Sequence, residues 1–398
     1  MARLTPEQAL ARLQPQGKRK AKGNDPLIVK TTIGRSDEDI CIIGNSKGDI
    51  LVPLNDKLPD TLGIWEQGGD MPPAMIDWIA EYASEVEWWE NVGESLQTYE
   101  KTDLPNKAPK APRQDIPPML TTKWGQTSPY NDTLTFDGKK CVTGCNTTAV
   151  AQIMKHWFDK GYQRGCPPTD PYITSTNGYE VGAMPAKIVF DFENLVRTPK
   201  TAKQKAAVQE LMEYLAKTFH SDFTPNSTGA SPKKVAEYLK CKLRMGEFIS
   251  YIHASKLGLS SYENFIYNEL LQGRPVIIAG WTGNGGGHTF VVDGYDATQD
   301  LYHVNWGWNG SYDGWFKLSA LNPTSSRAYN SNKVAIIGIQ PDYKLGDVNG
   351  DGDIDIADAM QVVRDAQSGK YSDASEINYD GRVTVTDAQV IISKIIGK

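Results

Sequence analysis

Gly144-Cys-Asn-Thr-Thr-Ala-Val-Ala-Gln-Ile-Met154 is a Gly-Cys turn that leads directly into a predicted helix. Ala149, Ile153 and Trp157 recur at helical spacing, which predicts that this helix runs through the core of a domain. A thiol in the first turn faces backbone N–H groups and the positive end of the helix dipole, and both favour the thiolate. The stretch therefore predicts a nucleophile at Cys145. By itself it is equally compatible with a small apolar residue at a helix entrance.

Length and composition limit the classes of protein to consider. The chain has 398 residues, enough for two or three domains, with 39% hydrophobic residues and a formal net charge of -6. It has no basic stripe, so no nucleic-acid partner is expected, and no apolar run reaches membrane-spanning length. The first residues lack the apolar segment of a signal peptide. We therefore expect either a cytoplasmic protein or one whose signal peptide is absent from this sequence.

The cysteines are five in number and scattered: Cys41, Cys141, Cys145, Cys166 and Cys241. An odd, irregularly spaced set is a poor disulfide framework. The sequence therefore predicts at least one free thiol, as a cysteine enzyme requires.

The N-terminal part is predicted to form a separate unit. Residues 27–33, 39–44 and 49–52 have the composition of strands, and Pro72-Pro73 opens an amphipathic helix. The helix stripe suits either docking into a groove or packing on the unit's own sheet. Residues 101–118 are rich in Pro and Lys and predict a linker that can be cleaved. The apolar stripe of the helix comprises Met75, Ile79, Tyr82, Val86 and Trp89.

Among five histidines, His288 is the predicted base. It follows the glycine-rich loop 282–287, which keeps the approach to the imidazole clear, and it begins an apolar strand. Residues 301–308 are the expected partner strand of a hairpin, which would bring Asn305 beside His288. His303 shares strand parity with Asn305 but lacks the glycine approach, so we interpret it as structural. The remaining histidines, His156, His220 and His253, are disfavoured by their positions.

Gln126 precedes the Cys145 turn and could point its amide at a developing oxyanion. A Cys145 thiolate, His288 and this amide would together permit acyl transfer to water. The same groups would also permit transfer to an amine, as in transglutaminase-like enzymes.

Three motifs resemble the signatures of the streptopain family of secreted, papain-like bacterial cysteine proteases. They are the Gly144–Met154 stretch, Gly286-Gly287-His288-x-Phe-Val-x-Asp-Gly-Tyr-Asp296 and Val304-Asn-Trp-Gly-Trp308. The Pro72-Pro73 helix is similar to the end of that family's inhibitory propeptide. One departure is Asn309, where the family commonly has Gly. The resemblance implies Cys145 as nucleophile, His288 as base and acid, Gln126 as oxyanion donor, and Asn305 and Trp306 as orienting and shielding groups.

The C-terminal part contains two loops in which oxygen-bearing residues alternate. The first has oxygen side chains at positions 1, 3, 5, 9 and 12 of a twelve-residue loop and Gly at position 6, which suits Ca²⁺. The second copy begins with Glu and has Thr at position 9, which predicts weaker binding. The predicted metal residues are Asp347, Asn349, Asp351, Asp353, Asp355 and Asp358 in the first loop, and Glu376, Asn378, Asp380, Arg382 and Asp387 in the second.

This paired loop-helix module resembles a dockerin, whose family docks onto cohesin domains. Ile356-Ala357 and Val385-Thr386 replace the Ser-Thr pair that many dockerins use for recognition. The sequence therefore supports calcium more firmly than it supports a cohesin-like partner.

Taken together, the residues and the resemblances predict an α+β chain. Residues 1–113 are expected to be an α+β propeptide with its linker, 114–341 a papain-like two-layer catalytic domain with a helical half and a twisted antiparallel sheet, and 342–398 a helical calcium module. The predicted function is a secreted cysteine endopeptidase, made as a zymogen, that acts on protein or peptide substrates without a catalytic cofactor. The alternative is a calcium-dependent adhesion or scaffold protein with an inactive protease-like domain.

Overall fold

The fold is described from a computed structural model. The described residues are 3–13, 25–34, 39–56, 58–66, 70–88, 112–162, 166–187, 190–257, 259–281, 287–318, 333–341, 344–372, 374–378 and 380–397. Trp89, residues 101–111 of the predicted linker and residues 282–286 of the glycine-rich loop lie outside them. The chain divides into two compact units, residues 1–119 with 251–337 and residues 120–250 with 338–398. Within the described part, no helix is both long and apolar enough to cross a membrane.

A ten-stranded sheet dominates the first unit. Its strands are β1 Ile28–Ile33, β2 Ile40–Asn45, β3 Gly48–Pro53, β4 Gly63–Glu66, β9 Ser250–His253, β10 Val276–Trp281, β11 Gly287–Asp296, β12 Leu301–Asn305, β13 Gly314–Phe316 and β14 Val334–Ile337. Their spatial order is β1-β2-β3-β4-β13-β12-β11-β10-β14-β9. The strands β4 and β13 pair antiparallel, with Trp65 opposite Gly314, so the N-terminal strands continue the sheet that carries His288.

The predicted N-terminal strands and the Pro72-Pro73 helix are present in this unit. The helices are α1 Pro6–Leu13, α2 Pro73–Trp88, the short α6 Ala254–Leu257 and α7 Leu259–Leu271. The helix α2 buries Met75, Ile79, Tyr82 and Val86 of the predicted stripe in a core shared with sheet residues from both ends of the unit. Ile42 and Phe290 both belong to that core. The helix therefore packs on the strands of its own segment and on the His288-bearing strands.

The second unit is mainly helical. It contains α3 Cys145–Asp159, α4 Ala202–Thr218, α5 Pro232–Cys241, the two-stranded pairs β5 Thr135–Phe136 with β6 Lys139–Lys140 and β7 Tyr172–Ile173 with β8 Glu180–Val181, and a 3₁₀ turn at Phe192–Asn194. The Thr201 hydroxyl oxygen caps α4 by accepting the Gln204 N–H, and Gln204 Oε1 accepts the Thr201 N–H. The two bonds form a capping box. The α3 helix is buried along most of its length. The prediction of a core helix after Cys145 is therefore confirmed.

Two short helices, α8 Ile356–Ser368 and α9 Val385–Ile395, form the C-terminal module of this unit. They pack around Val362, Ile377 and Ile391, all of which are buried. Each helix begins directly after one of the two oxygen-rich loops, with Asp355 and Thr384 as the N-caps.

All five cysteines of the chain are free thiols.

The C-terminal end of the predicted linker is fixed to the first unit by Arg113. Its guanidinium donates to the hydroxyl of Tyr302 at 3.0 Å and to Asn264 Oδ1 at 2.7 Å, and it lies 4.6 Å from the ring centre of Tyr267. Ile116 then exchanges backbone hydrogen bonds with Tyr295. The end of the predicted linker nearest the catalytic part is therefore tied to the sheet.

Replacement of this guanidinium should loosen the segment locally. We expect Arg113→Met to speed amide hydrogen exchange at Ile116 and Tyr295 by about tenfold, because three hydrogen bonds, two cation–π contacts and an ion pair of the guanidinium are lost. Exchange mass spectrometry of the full chain measures the effect. Arg197→Met, at an exposed arginine, is the matched control and should change nothing there. Equal protection of residues 113–119 in both variants would contradict this role of Arg113.

Candidate active site

Cys145 is the first residue of α3, and the preceding turn fixes its position. Gly144 adopts φ 91°, and a β-carbon there would lie 2.8 Å from the carbonyl oxygen of Thr228. Only glycine therefore fits this turn without a backbone shift. Asn146 donates to the carbonyl of Ala230 at 2.8 Å, which ties the helix start to the same loop. No side chain caps this end of the helix, and its first turn holds no acidic residue, so the positive end of the dipole is not screened by a carboxylate.

The main chain of Gln126 supports the same turn. Its carbonyl accepts the Thr143 N–H at 3.0 Å. Further back, Gln152 of α3 accepts hydrogen bonds from the Thr122 hydroxyl and the Trp124 N–H. Thus the segment that bears Gln126 and the helix that bears Cys145 are joined by hydrogen bonds, and the second unit brings these two predicted site residues to one place.

His288 is the second residue of β11 in the first unit. Its Nε2 lies 2.9 Å from the carbonyl oxygen of Trp306. A carbonyl can only accept, so Nε2 carries the proton and the neutral ring has Nδ1 as its acceptor nitrogen. The hydrogen-bond partner of His288 Nε2 is therefore the main-chain carbonyl of Trp306.

Asn305 and Asp313 shape the turn that presents this carbonyl. Asn305 Oδ1 accepts the Gly307 N–H at 3.1 Å, and Asp313 Oδ1 accepts the Trp306 N–H at 3.0 Å. Gly307 has φ 72° and Asn309 has φ 58°. Asn is the non-glycine residue that tolerates this left-handed region best, which explains how Asn309 replaces the glycine that the family commonly has there.

Aromatic rings surround the imidazole. The ring of Trp308 stacks on His288 with 4.6 Å between centroids, and Trp306 stacks on Trp308 at 5.2 Å with nearly parallel planes. Phe290 and Trp306 contact each other at 4.7 Å. These rings lie along one side of His288, and the shielding role expected of Trp306 stays a prediction.

Trp78 of α2 completes this aromatic cluster. Its ring meets Phe290 edge-on at 5.2 Å and Trp306 at 5.9 Å. A small pocket remains beside His288, lined also by Asp77 and Glu81 of the same helix. Trp78 ends the propeptide-like motif 72–78, but its contact with these rings was not predicted, although its spacing of three residues from Met75 was a usable signal.

The surroundings of His288 change its acid–base character. Burial lowers the pKa of His288 from its ordinary 6.5 to about 4, and the bond to the Trp306 carbonyl opposes the shift only in part. The imidazole is therefore neutral at physiological pH.

The other histidines have different surroundings. His303 Nδ1 lies 2.6 Å from the fully buried carboxylate of Asp293. His156 is buried on α3 against Trp157, and His220 stacks on Tyr172. The first unit thus brings together His288, Asn305 and Trp306, and the second brings together Gln126 and Cys145.

The first oxygen-rich loop of the C-terminal module is folded by its own side chains. Asp358 is fully buried and accepts the N–H groups of Val348, Asn349 and Asp355. Asp347 accepts those of Gly350 and Gly352. Asp351 and Asn349 accept further N–H bonds within the loop. Most of these oxygens keep a lone pair that no N–H group uses, so the donor set fits Ca²⁺.

The second loop repeats this arrangement. Asp387 accepts the N–H groups of Ile377, Asn378 and Thr384, and Gly381 donates to Glu376. Burial, with a contribution from nearby carboxylates, raises the pKa of Glu376. Among the described residues no three acidic, His or Cys side chains form a ready metal cluster. The carboxylates instead hold the loop backbone, and the predicted ligand sets in both loops stay predictions.

Two parts of the chain match known protein families. Residues 124–316 match the model of the Peptidase C10 family, and residues 345–396 match the Dockerin type I domain. Streptopain from Streptococcus pyogenes is 33% identical over 220 residues, which are 52% of this chain and 54% of that protein. The thiol protease/hemagglutinin PrtT from Porphyromonas gingivalis is 28% identical over 328 residues, 75% of this chain and 36% of that protein. The chain thus spans about half or less of the length of these curated relatives.

Two solved structures from Prevotella intermedia share the fold. A prointerpain A fragment superposes with a TM-score of 0.64 at 22% identity, covering 79% of this chain and 99% of the fragment. Active interpain A cysteine protease superposes with a TM-score of 0.51 at 27% identity, covering 60% of this chain and 100% of the protease. The predicted fold class, a papain-like domain with an N-terminal propeptide-like part and a C-terminal module, is confirmed. Residues 124–316 are therefore similar to the cysteine peptidases of the Peptidase C10 family, to which the streptopain-like motifs pointed, and residues 345–396 are similar to dockerin type I domains.

Proposed function

We propose that this chain is a cysteine endopeptidase made as an inactive zymogen, with Cys145 as nucleophile and His288 as base and acid. The observation that carries the proposal is the seating of Trp78 of α2 against the aromatic rings around His288. A helix from the N-terminal part that covers the base is what a protease made in silent form needs. The predicted propeptide, residues 1–113, is part of this proposal.

The chemistry proposed for Cys145 and His288 is acyl transfer to water. Cys145 gives its proton to His288 Nδ1, and the thiolate attacks the peptide carbonyl carbon. The Cys145 N–H and the Gln126 amide stabilise the oxyanion. His288 then protonates the leaving amine as the C–N bond breaks, and a thioester remains. A water that loses its proton to His288 cleaves the C–S bond and restores the thiol.

The orienting role belongs in this proposal to the turn at Asn305 and Trp306. The Nε2–H bond to the Trp306 carbonyl fixes the tautomer that leaves Nδ1 as the base. Asn305 acts through its bond to the Gly307 N–H, which holds that carbonyl in place. Both residues thus contribute as the family resemblance suggests, with Asn305 acting through the main chain.

Loss of the nucleophile should stop self-processing. We expect the purified full chain, kept in reductant, to lose about its first 110 residues, because the Pro/Lys-rich linker is the predicted cleavage region. Cys145→Ala should remain whole, and intact mass spectrometry over time measures both chains. Cys241→Ala, at an exposed cysteine, is the control and should process normally. Processing of Cys145→Ala at the wild-type rate in the absence of added protease would refute the assignment of the nucleophile.

The covering of His288 should be visible in its titration. In full-length Cys145→Ala we expect His288 to titrate near pH 4, and to return toward 6.5 or above once the N-terminal part is removed. Because the covered form has the lower pKa, protons bind preferentially to the uncovered form. The covered form is therefore fully stable above about pH 6.5 and loses stability as the pH falls toward 4. Nuclear magnetic resonance with isotope-labelled histidine measures the titration, and an unchanged His288 pKa after removal would argue against covering by α2.

We further propose that the dockerin module binds Ca²⁺ through both loops and docks the enzyme onto a cohesin-like partner, and that the protein is secreted or displayed on a bacterial surface. The support is the donor set of each loop together with the dockerin match. Bound Ca²⁺ would supply only structural cross-linking. Asp347, Asp351 and Asp358 would hold it in the first loop, and Glu376, Asp380 and Asp387 in the second.

The two loops should differ in calcium affinity. Asp351 and Asp380 occupy position 5 of their loops, so Asp351→Asn and Asp380→Asn form a matched pair. We expect two binding events by calorimetry on the full chain, with Asp351→Asn weakening the tighter event about tenfold and Asp380→Asn weakening the other, because one ligand charge is lost in each. A tighter event that responds only to Asp380→Asn would reverse the assignment.

A further inference from the structure

Three residues form a row across neighbouring strands beside the candidate base. His288 on β11 lies directly opposite Gly280 on β10. Ala279 lies opposite Val334 on β14, so the next position in that ladder sets Gly280 beside Lys333. Directly opposed residues point to the same face of a sheet. His288 and Lys333 therefore project from one face, two strand spacings or about 10 Å apart, with a glycine between them.

The glycine creates a trough on this face, and Trp78 occupies it. A β-carbon at Gly280 would lie 3.9 Å from Trp78 Cζ3 and 4.0 Å from Lys333 Cγ. The Lys333 ammonium lies 4.1 Å from the centre of the Trp78 ring. The trough thus has His288 as one wall, Lys333 as the other, and an indole from α2 as its present content.

Carboxylates of α2 neutralise the Lys333 ammonium. The side chain is only 2% exposed, and its Nζ lies 3.6 Å from Glu81 Oε2 and 3.9 Å from Glu85 Oε1. The ammonium also donates to the carbonyl of Leu318 at 2.7 Å. A buried ammonium requires such counter-ions. Departure of α2 would remove both carboxylates and leave the cation beside an emptied trough.

We propose that Lys333 is a specificity-determining residue that selects substrates with an acidic side chain at the first or second residue after the scissile bond. This inference rests on the proposed peptidase function. His288 protonates the leaving amine, so residues on the leaving side of the substrate lie next to His288. An extended chain advances about 3.3 Å per residue, which puts those two side chains within reach of an ammonium about 10 Å away. In the zymogen, α2 occupies the trough with an aromatic ring and two carboxylates.

A set of fluorogenic peptides tests the proposal on the processed wild-type enzyme. The peptides are identical except for Glu, Gln or Lys at the first or the second position after the scissile bond. We expect kcat/KM for Glu to exceed that for Lys by about fivefold at one of these positions, with Gln between them, as for a partly exposed ion pair. The preference should shrink at about 1 M salt, because exposed charges are then screened.

Variants of the lysine separate its charge from its packing. Lys333→Met should bring the Glu-to-Lys ratio near one, Lys333→Glu should invert it, and Lys333→Arg should keep it. Lys200→Met, at an exposed lysine, is the control and should behave as wild type.

The possible outcomes separate the role of Lys333 from the proposed peptidase function. A wild-type enzyme that cleaves the Gln peptide with no preference between Glu and Lys overturns the role of Lys333, as does a preference that survives Lys333→Met. Failure to cleave any of the peptides overturns the peptidase function itself and the inference with it. The wild-type ratio and its salt dependence decide the question even where a Lys333 variant fails to process.

Discussion

The aromatic cluster at the His288 end of the first unit's sheet is the interaction on which the rest of that unit depends. Trp78, Phe290 and Trp306 meet edge-to-face or tilted, and such pairs contribute about 0.5–1.5 kcal/mol each beyond the area that they bury. The cluster joins α2 to β11 and to the turn after β12. The same rings surround His288. One set of contacts therefore both stabilises the packing of α2 and lowers the pKa of His288.

A buried charge reinforces this aromatic packing. Lys333 lies against the ring of Trp78 and close to Glu81, so α2 is held by dispersion, by a cation–π contact and by ion pairing at a single point. Breaking only one of these interactions would leave an uncompensated charge or a cavity in the core. The helix is therefore expected to leave as a whole, together with the strands that precede it, and not by gradual fraying.

Much of this organisation could be predicted from local sequence. The helix after Cys145, the strand that begins at His288 and the capped α4 follow from periodicity, glycines and capping residues, which act over a few positions. The two oxygen-rich loops were equally visible, because their ligand spacing is a local property. The contacts of Trp78 and the position of Lys333 could not be predicted, since they depend on which strands become neighbours across more than two hundred residues. The hydrogen bond between His288 and the Trp306 carbonyl could not be predicted either. Every residue has a main-chain carbonyl, so a side-chain motif does not indicate which one is the partner.

The pairing of β4 with β13 has a consequence for the form that lacks the N-terminal strands. Loss of β4 would turn β13 into an edge strand with unpaired backbone donors and acceptors, a template for unwanted association with other chains. The strand is only three residues long, Gly314–Phe316, and so offers little length for pairing. A β-carbon at Gly314 would lie 2.3 Å from the carbonyl oxygen of Ile64, so the close approach of β4 depends on a residue without a side chain. Because β13 is so short, its pairing with β4 would be easy to break. For the same reason, the exposed edge of β13 would have little tendency to aggregate.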